Sequence, residues 1–134
     1  MQGSYLGNKY SDKEIKIELD KIGANYNEYD QQTIIDKTAS SLSEGKAIGW
    51  FQGRMEFGPR ALGNRSILGD PRSENMQKNL NLKVKYRESF RPFAPSVLRD
   101  EVNNWFEMNT DSPYMLMVSN CLLYTSPSPR DKTV

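Results

Sequence analysis

The stretch from Gly53 to Ser66 constrains the fold most, because its glycines and its proline interrupt both helices and strands. Three glycines and three arginines alternate along it. A glycine lets the backbone approach a ligand closely, and a guanidinium binds a carboxylate or a phosphate through two parallel hydrogen bonds. We therefore expect this glycine–arginine stretch (residues 53–66) to be a loop built around an anion.

Positive charge is concentrated in the middle of a chain whose formal net charge is only +1. Residues 54–91 contain nine lysines and arginines against four acidic residues, whereas both flanks have an excess of acids. A second basic run within this region, residues 83–92, is called the basic segment below. The alternative interpretation is a set of surface salt bridges, since Glu56, Asp70 and Glu88 lie close enough in sequence to pair with some of the arginines.

The composition excludes several kinds of site. There is no histidine, which rules out a His-ligated metal and a Ser-His or Cys-His catalytic pair within this chain. The single cysteine, Cys121, cannot form an internal disulfide. No apolar run approaches the roughly 18 residues of a membrane span, and the N-terminus lacks the pattern of a signal peptide. These features predict a cytoplasmic protein with one domain or part of one.

Apolar spacing and turn residues predict alternating helices and strands, and hence an α/β fold. Ser11 and Glu14 have the spacing of a capping box, and Gly23 has the position of a helix stop. The predicted helices span residues 12–22, 30–43, 74–84 and 100–106, with one turn after Gly58-Pro59; the predicted strands span residues 47–51, 66–68, 93–98 and 114–118. The predicted inward residues are Ile34, Ile35, Thr38 and Leu42, then Met76, Leu80 and Val84, with Phe90, Phe93 and Trp105 in the core rather than stacked on adenine.

The backbone conformation of the basic segment is a further test. Lys85 and Arg87 would lie on the same side of an extended chain, because side chains alternate between the two faces of a strand. In a helix the same two side chains would diverge. An extended backbone here would therefore favour joint binding of one anion.

Several of these sequences resemble the carbamoyltransferase family that includes the nodulation-factor, cephalosporin and aminoglycoside O-carbamoyltransferases. The resembling stretches are YLG (5–7), YSDKEI (10–15), GWFQGRMEFGPRALG (49–63), FRPFAPSV (90–97) and SPYMLMV (112–118). The resemblance implies an α/β fold with a partial YrdC-like twisted mixed sheet and flanking helices over residues 46–119, after a helical entry segment over residues 1–45. Residues 120–134 resemble a translated sequencing adaptor, so we expect them to be a disordered tail outside the natural sequence.

The resemblance also implies an activity. Members of this family form carbamoyl-adenylate from carbamoyl phosphate and ATP, which carries Mg²⁺, and transfer the carbamoyl group to a hydroxyl. The metal-binding N-terminal domain of the family is absent from this chain, so we expect the fragment to hold no metal of its own and to be inactive alone. An RNA-binding module with a YrdC-type basic cavity is the alternative, but the acidic flanks argue against binding of nucleic acid.

Site residues are carried over from the family by position. The resemblance implies that Arg60, Lys85 and Arg91 bind the phosphates of carbamoyl phosphate or ATP as catalytic residues. Supporting contacts to the substrate or nucleotide are implied for Arg54, Arg65, Arg87, Gly58, Asn64 and Ser66.

Overall fold

The computed structural model describes residues 3–122, which fall into two compact units. The first unit comprises the residues up to Glu44 together with Ile48–Leu68, and the second comprises Gly45–Ala47 together with the residues from Gly69 onwards. In chain order the elements are α1 (Asp12–Lys21), α2 (Gln31–Ser43), β1 (Ile48–Phe51), β2 (Arg65–Leu68), α3 (Met76–Asn79), a π-helical turn (Leu80–Val84), a 3₁₀ turn (Arg99–Glu101) and α4 (Val102–Trp105). The predicted domain boundaries at residues 45 and 119 stay predictions.

Helices α1 and α2 confirm the first two predicted helices. The hydroxyl of Ser11 accepts a hydrogen bond from the backbone N–H of Glu14 at 3.3 Å, and the Glu14 carboxylate accepts one from the Ser11 N–H at 2.8 Å. Each helix is followed by a glycine in the left-handed region, Gly23 with φ +66° and Gly45 with φ +79°. The capping box therefore sets the start of α1, the Asp30 carboxylate, which accepts from the Thr33 N–H, caps the start of α2, and the glycines end both helices.

The two described strands form an antiparallel pair within the first unit. Ile48 is opposite Leu68 and Phe51 is opposite Arg65, so the glycine–arginine stretch connects the ends of the hairpin. Helix α2 contacts β1. The described residues are thus a mixture of helices and strands, as predicted, but their sheet is one antiparallel pair rather than the predicted mixed sheet.

The core of the second unit is formed where α3 and the π-helical turn meet Gly69. Met76 and Leu80 are both buried. A Cβ atom at Gly69 would lie 2.9 Å from Cγ of Met76 and 3.0 Å from Cδ1 of Leu80, so only glycine allows this close packing. The prediction that Met76 and Leu80 face inward is confirmed, whereas that for Val84 is wrong, because its side chain is exposed.

The third predicted helix, residues 74–84, starts two residues later than predicted and continues from α3 into the π-helical turn. The Asp70 carboxylate accepts a hydrogen bond from the backbone N–H of Arg72 at 2.9 Å, and the Asp70 carbonyl accepts one from the N–H of Ser73 at 3.3 Å. A second turn follows, in which the N–H of Met76 donates to the Ser73 carbonyl at 3.1 Å. These two turns occupy residues 70–75, so the helix starts at Met76 instead of Glu74.

Three other predicted elements are absent from residues 3–122. No helical turn follows Gly58, whose φ is +126°, and the N–H groups that would continue such a turn bind the Glu56 carboxylate instead. No strand forms over residues 114–118, because Met115 has a φ of +54° and Val118 is 96% exposed. The segment 93–98 is also outside any strand.

Several predicted inward residues lie at the surface instead. Ile34 and Ile35 of α2 are exposed, and Phe90 is 66% exposed, so their assignment to the core is wrong. The side chain of Trp105 is also exposed, whereas that of Phe93 is half-buried. Residues 120–122 hydrogen-bond to residues 105–107, through Asn120 and Leu122. The rest of the predicted tail, residues 123–134, lies outside the described residues.

Candidate functional site

The glycine–arginine stretch is held in place by the N-terminal segment, residues 4–9. The N–H of Gly7 donates to the carbonyl of Met55, and the N–H of Met55 donates to the carbonyl of Asn8, both at 2.9 Å. The N–H of Phe57 donates to the carbonyl of Ser4 at 2.7 Å. Two distant segments of the sequence therefore act as one structural element.

The buried carboxylate of Glu56 is the centre of this loop. The residue is only 4% exposed. Its Oε1 atom accepts hydrogen bonds from the backbone N–H groups of Leu62 at 2.6 Å and Asn64 at 2.8 Å, and its Oε2 atom accepts one from Nε of Arg65 at 3.2 Å. An internal carboxylate thus occupies the position beside the glycines where the sequence suggested a bound anion.

The environment of Glu56 keeps its carboxylate ionised. Burial alone would raise the pKa of Glu56, because a low dielectric disfavours the charged form. The backbone N–H groups of Asn64, Glu56 itself and Leu62, together with the guanidinium of Arg65, outweigh that effect and lower the pKa below its ordinary value. The negative charge is therefore a permanent part of the loop near neutral pH.

The other polar side chains of the stretch also bind within the protein, with one exception. The Arg54 guanidinium donates to the carbonyl of Gly7 at 2.9 Å, and that of Arg65 also donates to the carbonyl of Gly58. Internal bonds also occupy Asn64, which donates from Nδ2 to the Arg54 carbonyl at 2.7 Å, and Ser66, whose hydroxyl accepts from the Gly63 N–H at 3.1 Å. Within the described part of the chain, only Arg60 among these arginines has an exposed side chain without a polar partner.

The basic segment of the second unit is organised by Asn81, which is 0% exposed. Its Nδ2 atom donates to the carbonyls of Ser89 at 3.1 Å and Arg91 at 2.8 Å, and its Oδ1 atom accepts from Nε of Arg87 at 2.7 Å. Gln77, one helical turn earlier, donates to the carbonyl of Arg91 at 3.0 Å. A buried amide therefore fixes the backbone of residues 87–91.

Lys85 and Arg87 do not share one face of a strand. Lys85 follows the π-helical turn with φ −94° and ψ −13°, and Tyr86 has φ +50°. The Arg87 guanidinium binds Asn81 and lies 4.9 Å above the ring of Phe93. The backbone is therefore not extended here, and the strand geometry that would favour joint binding of one anion is not found. Of the two side chains, that of Lys85 is exposed and has no partner among the described residues.

Three acids pair with three of the arginines, as the salt-bridge interpretation predicted. Besides Glu56 and Arg65, Asp70 binds Arg72 at 2.6 Å and Glu88 binds Arg91 at 3.1 Å. The hydrogen bonds from the Arg72 side chain hold the pKa of Asp70 below its ordinary value. Both side chains of the Glu88–Arg91 pair are exposed, so this pair contributes little to stability.

Comparison with known proteins assigns the chain to a family. Residues 39–126 match the model of the carbamoyltransferase C-terminus. The chain belongs to the carbamoyltransferase family. The resemblance of its sequence to that family is thereby confirmed.

Individual relatives of this carbamoyltransferase chain are much longer proteins. It is 54% identical over 122 residues to the uncharacterized protein sll1178 of Synechocystis sp., a match that covers 90% of this chain and 20% of that protein. It is 43% identical over 111 residues to the nodulation protein NolNO of Sinorhizobium fredii, covering 81% and 16%. It is 42% identical over 78 residues to a 3'-hydroxymethylcephem-O-carbamoyltransferase of Streptomyces clavuligerus, covering 58% and 15%. The chain spans a fifth or less of the length of these relatives.

The structural roles of Gln77, Asn81 and Tyr86 in this carbamoyltransferase domain were not predicted from the sequence. The spacing of Gln77 and Asn81 could have revealed them, because polar side chains four residues apart lie on one helical face, here the face toward the basic segment. Tyr86 carries no such signal, since a left-handed backbone is rare for tyrosine.

Residues 3–122 contain no cluster of three or more His, Cys, Asp or Glu side chains suited to a metal ion. Over the same residues, none of the helices has the length and apolar character needed to cross a bilayer.

Proposed function

We propose that this chain is part of an O-carbamoyltransferase and that its domain binds carbamoyl phosphate and ATP. The observation that carries the proposal is the state of Arg60. The other two arginines of the glycine–arginine stretch are bound to internal oxygens, whereas the exposed Arg60 has no partner in the described residues. A rigid loop thus presents a free guanidinium, the group best suited to a planar or tetrahedral oxyanion.

The proposed reaction joins the two substrates. Carbamoyl phosphate, ATP and water give carbamoyl-adenylate, phosphate and pyrophosphate, and a hydroxyl of the acceptor then takes the carbamoyl group and releases AMP. Every substrate phosphate is an anion, so the contribution of this domain is electrostatic: it holds negative groups in line and stabilises charge that develops at phosphorus. Membership of the family and the similarity to a named O-carbamoyltransferase support this assignment.

The roles of the cations follow from their surroundings. Arg60 can donate two parallel guanidinium N–H groups to one oxyanion, and Lys85 contributes a point charge. Arg91 can exchange the exposed Glu88 for a substrate phosphate at little cost, because surface ion pairs are weak. Arg54, Arg65 and Arg87 support the fold, since at least one donor of each guanidinium already binds an oxygen of the protein.

The surrounding protein belongs to the same proposal. We propose that the domain is YrdC-like, that it acts in the cytoplasm, and that a separate N-terminal domain supplies the family's metal and the acceptor site. Residues 3–122 contain no cluster of side chains that could hold that metal, so we assign no metal ligand among them. Mg²⁺ would be held by the ATP phosphates.

Calorimetric titration with carbamoyl phosphate and with ATP tests the proposal. Each charge-assisted hydrogen bond contributes about 1.5–3 kcal/mol. Arg60→Ala and Lys85→Ala should therefore each lower the affinity for at least one of the two ligands by about tenfold or more. Lys78→Ala is the matched control, because it removes an equally exposed positive charge from α3. Unchanged affinity for both ligands in both variants would refute the assignment, and an equal loss in the Lys78 variant would reduce it to general electrostatic attraction.

A further inference from the structure

Tyr86 is the feature of the basic segment that the proposed function leaves without a role. Its φ of +50° is uncommon for a residue with a Cβ atom, and it is 85% exposed. Such conformations persist only where the surrounding structure enforces them, and they cluster at ligand sites. The question is what holds this ring in solvent and what it could bind.

The two neighbours of Tyr86 enforce its conformation. The N–H of Lys85 donates to the carbonyl of Leu80 at 2.9 Å, and the N–H of Arg87 donates to the carbonyl of Asn81 at 3.0 Å. Both acceptors belong to the π-helical turn, so the chain reverses direction at Tyr86 between two fixed points. The ring is displayed outward because the backbone on each side of it is already bound.

The cations beside Tyr86 differ in their availability. Arg87 is occupied by Asn81 and lies on the ring of Phe93, not on that of Tyr86. Lys85 has an exposed side chain with no partner in the described residues. An exposed aromatic residue is therefore followed and preceded in the chain by cations, of which the preceding one, Lys85, has no partner in the described residues. An aromatic ring and an available cation in one segment are the groups that bind a nucleobase and its phosphates.

We propose that Tyr86 stacks on the adenine of ATP while Lys85 binds its phosphates, which makes the basic segment the nucleotide-binding part of this domain. The inference rests on the proposed function and deepens it by assigning ATP to one segment. It also accounts for an aromatic side chain in a conformation that glycine would adopt at lower cost.

Titrations with ATP and with inorganic tripolyphosphate separate the base from the phosphates. Stacking on one base contributes about 1–3 kcal/mol of binding free energy. Tyr86→Ala should therefore lower the affinity for ATP by roughly five- to a hundredfold and leave the affinity for tripolyphosphate unchanged. Tyr86→Phe should retain ATP affinity, and Lys85→Ala should weaken both ligands. Phe90→Ala is the matched control, because it removes another exposed aromatic ring from the same segment and should leave both affinities unchanged.

Tyr86→Gly keeps the test independent of folding. Glycine adopts the left-handed region freely, so this variant should keep or raise the Tm and still lose ATP affinity. Equal losses for ATP and tripolyphosphate, or full ATP affinity in the Ala and Gly variants, would overturn the stacking. Tighter binding of oligoadenylate than of ATP, with a steep salt dependence, would overturn the choice of a mononucleotide. Failure of the unsubstituted chain to bind ATP would contradict the proposed function instead.

Discussion

Replacement of Glu56 by alanine should destabilise the first unit more than any other loss of a single acid. The carboxylate is buried, and three hydrogen bonds to it have distances between 2.6 and 3.2 Å. Without it, the N–H groups of Leu62 and Asn64 lose their acceptor and the guanidinium of Arg65 loses its counter-charge. The glycine–arginine stretch would then have no centre.

The size of the effect follows from the same contacts. Hydrogen bonds to a charged group contribute about 1.5–3 kcal/mol each, and relief of the carboxylate's desolvation offsets part of their sum. The Arg65 side chain is 38% exposed and can regain water. We therefore expect a loss near the lower end of the range for breaking a buried pair, about 3 kcal/mol out of a total stability of about 5–15 kcal/mol.

Urea unfolding followed by tryptophan fluorescence measures this loss. The chain has two tryptophans, so Trp105→Phe leaves Trp50 in β1 as the only reporter, next to the loop in the first unit. With a slope of about 1–3 kcal/mol per molar urea, Glu56→Ala should lower the midpoint by about 1–3 M. Glu88→Gln is the control, because its carboxylate is exposed and its loss should leave the midpoint of the Trp50 transition unchanged. Equal midpoints for the two variants would refute the role of Glu56 as a buried centre.

The pH dependence gives an independent check of the same carboxylate. Its pKa is lowered in the folded protein from the ordinary value of 4.5. The stability that Glu56 contributes is therefore fully present above pH 4.5 and is lost as the pH falls through the lower folded pKa. Glu56→Gln keeps an acceptor for Leu62 and Asn64 but cannot titrate, so the stability difference from the unsubstituted chain should shrink as the solution becomes acidic. A difference that is constant down to acid pH would contradict this account.

Two further substitutions test the packing of the second unit. Asn81→Ala removes the buried amide that binds two carbonyls and the Arg87 guanidinium, and it should lower the free energy of unfolding by about 3 kcal/mol in thermal unfolding. The control, Asn79→Ala, changes an exposed residue and should lower it little. Equal Tm values for the two variants would disprove the role of the amide. Gly69→Ala places a Cβ atom 2.9 Å from Met76 and should lower the free energy of unfolding in urea by about 1–3 kcal/mol. The control, Gly49→Ala, places its Cβ atom more than 4 Å from other atoms and should lower it less. Unchanged stability of the Gly69 variant would show that Met76 can move aside.

The sequence predicted best those features that depend on near neighbours. The capping box of Ser11 and Glu14, the glycine stops after α1 and α2, and the pairing of acids with arginines all join residues less than ten positions apart in the sequence. The strand over 114–118 failed because apolar character alone does not exclude a left-handed residue such as Met115. The reversal at Tyr86 could not be read from the sequence either, because two carbonyls of the preceding turn impose it.

The site was predicted in part for the same reason. Glycine and arginine spacing predicted a loop that binds an anion. Inside the loop the backbone N–H groups of Leu62 and Asn64 donate to the Glu56 carboxylate, a residue of the stretch itself, and binding of an external anion stays a prediction. Sequence spacing does not show which donors fold inward, since that depends on the partner segment at residues 4–9. The roles of Arg60, Lys85 and Arg91 in binding substrates stay predictions.

The cations can be ranked as binders of an external anion by the free energy that each would lose when it leaves its present partner. Arg65 could turn its Nε atom toward a phosphate only by giving up its hydrogen bond to the buried Glu56 carboxylate. That carboxylate would keep the N–H groups of Leu62 and Asn64 but lose its counter-charge, a cost comparable to the roughly 1.5–3 kcal/mol of one new charge-assisted hydrogen bond. Arg91 would give up only an exposed pair, which contributes little. Arg60 and Lys85 would give up no contact in the described residues. A signature with many arginines can therefore present few ligand-binding ones, and binding should depend on Arg60 and Lys85 first, on Arg91 next, and on Arg65 only through folding.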